Sequence, residues 1–96
     1  IRTLQQRAVA LDVDVFMECK VLRLLKDTDG RIAGVAAYWR ATGDFVVFRA
    51  KSVVLATGSV GKVWLYTSNS WESTGDGHAM AFWAGADMID MEFVQF

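Results

Sequence analysis

Two short turn sequences, Thr28-Asp29-Gly30 and Thr42-Gly43-Asp44, leave the middle of this chain little choice of fold. Each joins a residue whose side chain can bond its own backbone to a glycine that accepts left-handed angles. The segments they separate, 20–25, 31–40 and 45–49, are rich in apolar residues and of strand length. Strands joined by such tight turns lie antiparallel, so the centre of the chain is predicted to be a three-stranded meander.

The flanks carry other periods. Ile1, Leu4, Ala8 and Leu11 recur at helical spacing with Arg2, Gln5 and Gln6 between them, which predicts a helix to about Leu11. Residues 13–17, Val-Asp-Val-Phe-Met, alternate like a short strand. After the meander comes Lys51-Ser-Val-Val-Leu-Ala56, an apolar run without polar alternation, the pattern of a parallel strand covered on both faces. Helix potential returns over 76–84, and Gly85 is placed to stop it. The fold class is therefore α/β, with no proline, repeat or linker-like stretch to mark a second domain.

The chain has 96 residues, of which 53% are hydrophobic, more apolar surface than so small a body needs for its own core. It opens in mid-amphipathic segment and stops within an apolar one, without an initiator methionine or a signal-peptide pattern, and is read as a piece of a longer protein. Ten basic and eleven acidic residues give a net charge of -1, with no basic groove to attract nucleic acid. No apolar run approaches the roughly 20 residues of a membrane-spanning helix. The single cysteine, Cys19, excludes an internal disulfide and fits a reducing compartment.

Several chemistries lack their residues. His78, the sole histidine, has no cysteine or second histidine at ligand spacing, so it reads as an ordinary helix residue. The serines lack a G-x-S-x-G elbow. Cys19 reads as an apolar filler, and the aromatics Trp39, Trp64, Trp71, Phe82 and Trp83 as core or interface.

What stands out is a pair of glycine-containing turns. Ala56-Thr57-Gly58 follows the apolar run where a parallel strand would end, the place where α/β folds collect ligands. Ser73-Thr-Gly-Asp-Gly-His78 puts Asp76 between glycines at the mouth of a helix. Two readings of the second are open. Ser73 or Thr74 caps the helix and Asp76 meets the positive end of its dipole, or the glycines let a ligand approach the backbone. The G-x-G-x-x-G dinucleotide fingerprint is absent, so spacing alone does not choose.

Ser52-Val-Val-Leu-Ala-Thr-Gly-Ser-Val-Gly61, Tyr66-Thr-Ser-Asn69, Thr74-Gly-Asp-Gly77, Ala84-Gly-Ala86 and Met91-Glu-Phe-Val-Gln-Phe96, in that order, resemble the flavoprotein subunits of succinate dehydrogenase and fumarate reductase. L-aspartate oxidase shares much of the pattern. The resemblance implies that residues 1–96 are the C-terminal half of a split, glutathione-reductase-like FAD-binding domain, incomplete at both ends. The meander, the buried parallel strand and the flanking helices would all belong to it. It implies FAD contacts at Ala56, Thr57 and Gly58, and an adenine border at the backbone of Val21. It also implies a hydrogen bond from the cofactor to Asp76, with Gly75 and Gly77 allowing close packing. Where the family has a second glycine after Ala-Thr-Gly, this chain has Ser59.

The motif of 91–96 continues in the family with a histidine that contacts the dicarboxylate, so no catalytic residue of the protein is expected here. Gln95 either approaches flavin and substrate or serves as a strand residue bonding its neighbours. The resemblance further implies succinate or fumarate as substrate, an iron–sulfur partner subunit and a cytoplasmic location with membrane association through partner subunits. An L-aspartate oxidase segment is the alternative enzyme, and a non-catalytic binding or interaction module is the alternative of another class.

Overall fold

Asp27 shows how the first hairpin closes. Its Oδ1 accepts from the backbone N–H of Asp29 and of Arg31, each at 2.9 Å, while its own N–H donates to the Arg31 carbonyl at 2.9 Å. A carboxylate that bonds the backbone two residues ahead builds a turn into the sequence. The second turn uses Thr42, whose hydroxyl accepts from the Asp44 N–H at 3.2 Å.

These turns join β1 (Cys19–Lys26), β2 (Ile32–Trp39) and β3 (Phe45–Arg49) into an antiparallel sheet of order β1-β2-β3. The computed structural model describes residues 1–95, and Phe96, the last residue of its motif, lies outside them. Helix α1 (Arg2–Ala10) precedes the sheet, a 3-10 turn at Gly61–Val63 follows it, and α2 (Asp76–Trp83) comes last. The register holds Val21 opposite Ala37 and Arg23 opposite Ala36, so Leu22 is the extra residue of a bulge. Bulges re-aim the strand beside them, and this one lies next to Val21.

Helix α2 packs on β1, with Met80 5% exposed on the helix and Ala37 fully buried on the neighbouring strand. The α2 C-terminus closes as expected at Gly85: Gly85 N–H donates to the Phe82 carbonyl at 2.9 Å and Ala86 N–H to the Ala81 carbonyl at 3.0 Å. That is the Schellman pattern.

Two predicted strands are not formed among the described residues. Residues 51–56 are not a strand, and Val54 is 87% exposed. A parallel strand exists only through a ladder with neighbours, and among the described residues nothing pairs with this run. Residues 13–17 are likewise irregular; Phe16 instead lays its ring on the meander, with centroids 4.9 Å from Phe48 and 6.1 Å from Trp39. Of the two readings of the aromatics, core or interface, the first does not hold for Trp64, Trp71, Phe82 and Trp83, each more than half exposed among the described residues.

Candidate cofactor site

The helix mouth at 75–77 is built by its glycines. Gly75, at φ 78° and ψ 10°, is the N-cap of α2, a left-handed angle that costs glycine little. Neither Ser73 nor Thr74 caps the helix. Ser73 lies outside the cap, held by its carbonyl's bond from Lys62 N–H at 2.9 Å. Asp76 stands in the first turn as expected, where the helix dipole favours an acid.

Gly77 is a socket. A Cβ there would fall 1.7 Å from the Thr57 hydroxyl oxygen, so the two turns touch because position 77 has no side chain. A Cβ on Gly75 would meet Val60 Cγ2 at 2.6 Å. The space these glycines leave is thus filled by Thr57 and Val60 of the chain itself.

With the turns locked together, Val21, Thr57, Gly75 and Asp76 line one cleft between β1 and α2. Cys19, Lys20, Glu72 and Met80 share its walls. The Lys20 ammonium bonds Asp76 Oδ2 from across the cleft. This bond is the first cause holding the Asp76 carboxyl below the usual carboxylate range; desolvation opposes it, and the Lys20 charge and the Thr74 hydroxyl add to it. Glu72 is also held low, by its backbone N–H and the Ser70 hydroxyl.

Ala56 and Gly58 face the other side of Thr57, in a depression shared with His78 and Met88. His78 lies on α2 as expected, and its Nδ1 is buried without a hydrogen-bond partner among the described residues. Ser59 has a local role: its hydroxyl accepts from the Gly61 N–H at 2.9 Å. Gln95 stands apart, in a groove with Trp64 and Phe93. Its main-chain carbonyl accepts from Asn69 Nδ2 at 3.1 Å.

Sequence reasoning missed Lys20, because nothing in its spacing links a strand residue to the mouth of a distant helix. Among the described residues no cluster of His, Cys, Asp and Glu could hold a metal ion, and no helix is long and apolar enough to cross a membrane.

The cleft sets a carboxylate, a threonine hydroxyl and strand backbone around one space, a few polar groups on a largely apolar lining as in small-molecule sites.

Comparison with known proteins agrees with that chemistry. The family model of the FAD binding domain matches residues 1–96. The fumarate reductase flavoprotein subunit of Mycobacterium tuberculosis is 44% identical over 97 residues, spanning 100% of this chain and 16% of that protein. L-aspartate oxidase of Streptomyces coelicolor is 51% identical over 79 residues, 79% of this chain and 14% of that protein. Mycobacterium smegmatis Sdh1, solved in complex with UQ1, superposes with a TM-score of 0.82 at 47% identity, over 99% of this chain and 16% of that one. The chain thus spans about a sixth of the length of the relatives it matches. It belongs to the FAD-binding domain family, among relatives that are flavoprotein subunits of fumarate reductase and succinate dehydrogenase.

Proposed function

We propose that this chain is the C-terminal half of a split, glutathione-reductase-like FAD-binding domain in the flavoprotein of a succinate:acceptor oxidoreductase. The observation that carries this reading is the convergence of Val21, Thr57, Gly75 and Asp76, from separate parts of the chain, on one cleft. Asp76 accepts a hydrogen bond from the cofactor, the backbone at Val21 borders the adenine, and Ala56-Thr57-Gly58 presents a turn without bulk. Residues 51–56 join a parallel sheet whose other strands come from the rest of the protein. When bound, the flavin supplies hydride exchange with the dicarboxylate carbon at N5, and the protein supplies orientation and charge. Asn69 holds Gln95 by its main-chain carbonyl, which leaves the side-chain amide uncommitted by that bond and able to approach flavin and substrate.

In this reading the whole protein interconverts succinate and fumarate. It passes electrons to an iron–sulfur subunit and works in the cytoplasm, docked at the membrane through partner subunits. The second reading, L-aspartate oxidase, is favoured by the 51% identity to the Streptomyces coelicolor enzyme. The test is dye reduction by the purified full-length protein with succinate or with L-aspartate. Succinate-dependent reduction is expected. Reduction by L-aspartate alone establishes the second reading, and a full-length protein without flavin leaves a binding module.

A further inference from the structure

Among the cleft residues that the motifs leave unassigned, Cys19, Lys20, Glu72 and Met80, Lys20 is the one that bonds Asp76. It stands on β1 beside Val21, with its side chain 42% exposed and that of Asp76 50% exposed. The charged side chains lining the cleft are one cation, Lys20, and two acids, Glu72 and Asp76. A dinucleotide such as FAD carries a diphosphate and is an anion, so two uncompensated carboxylates facing it would repel it. The ammonium sits on Oδ2 and the Thr74 hydroxyl also bonds the carboxylate, but its two oxygens offer about four acceptor positions, so Oδ1 keeps one for another donor. An ion pair this exposed contributes little to folding. Its effect falls on where the carboxylate stands and what charge it shows.

We infer that Lys20 is a positioning residue for the cofactor: from β1 it holds Asp76 by Oδ2 and offsets its charge, leaving the other oxygen to accept from an uncharged part of an anionic dinucleotide. This rests on the proposed role of Asp76 as an FAD contact. Lys20 need not touch the cofactor itself; it acts through Asp76.

The test uses apoprotein of the full-length flavoprotein, titrated with FAD. Its readouts are the FAD concentration for half-maximal incorporation and the melting temperature of the apoprotein. Lys20→Met is expected to raise the FAD requirement about threefold to tenfold while leaving melting nearly unchanged, and Lys20→Arg to restore it to within about twofold. In an Asp76→Asn background, adding Lys20→Met should change the requirement by less than about twofold, because coupled residues are not additive. A wild-type requirement in Lys20→Met, or a full additive loss in the double variant, overturns the inference. If Asp76→Asn itself leaves the requirement unchanged, the role of Asp76 falls and this inference with it. If Asp76→Asn raises it and Lys20→Met does not, only the inference about Lys20 falls. Should Lys20→Met fail to fold, Lys20→Gln carries the same comparison.

Discussion

Asp76 serves two partners, and substitutions can separate them. Asp76→Ala in the full-length protein should raise the FAD requirement about tenfold to hundredfold, the equivalent of a charge-assisted bond of about 1.5–3 kcal/mol. Asp76→Asn, which keeps an acceptor oxygen, should be milder. If Asp76→Ala lowers only the melting temperature and leaves flavin content at the wild-type level, the carboxylate merely favours the helix start. The acid side of the pH range gives a second check. The pair with Lys20 lowers the folded-state pKa of Asp76 below its unfolded value. Its contribution is therefore fully present above the unfolded value, about pH 4, and disappears as pH falls through the lower folded value. The difference in melting temperature between wild type and Asp76→Asn, small because the two side chains are 42% and 50% exposed, should accordingly be constant from neutral pH to about pH 5 and shrink below about pH 4. A difference that grows on acidification would contradict the pairing. The composition Thr-Gly-Asp-Gly is legible in the sequence, but the partner of the acid is not. Lys20 reaches it only because β1 and α2 pack together, and no local pattern encodes that packing.

At the scale of elements, the joint between the Ala56-Thr57-Gly58 turn and α2 is a threonine seated on a glycine. Gly77→Ala puts a methyl group 1.7 Å from the Thr57 hydroxyl and 2.8 Å from its Cβ, so the elements must separate. The expected cost is about 1–3 kcal/mol, read as a lower melting temperature of the full-length protein, and Thr57→Ala should recover part of it by removing the closer atom. An unchanged melting temperature in Gly77→Ala would mean that the joint does not exist in solution. The meander was legible because its instructions are local: Asp27 and Thr42 bond the backbone of their own turns. The helix stop at Gly85 was legible for the same reason. The bulge at Leu22 and the irregular course of 13–17 were not, since each depends on what lies across from the chain rather than on its own residues. The run at 51–56 shows the reverse case: its composition asks for neighbours on both sides, and the described residues hold none.

Across the whole molecule, the buried hydrophobic residues among those described are Ala37 and Met80, while Leu65, Tyr66, Trp71 and Val54 are each at least 79% exposed. Apolar surface of this kind in water drives association. The isolated 96-residue chain should therefore elute as oligomers in size-exclusion chromatography, whereas a sharp monomer peak with cooperative melting would show a self-sufficient domain. The contact of Thr57 with Gly77 has a further consequence here. It ties off the stretch between them as a closed loop, whose exposed tip carries Leu65 and Tyr66. Once the base of a loop is pinned, lengthening it costs only in proportion to the logarithm of its length. A longer loop between Thr57 and Gly77 therefore leaves the cleft at its base in place, provided that Asn69 keeps its bond to the Gln95 main-chain carbonyl.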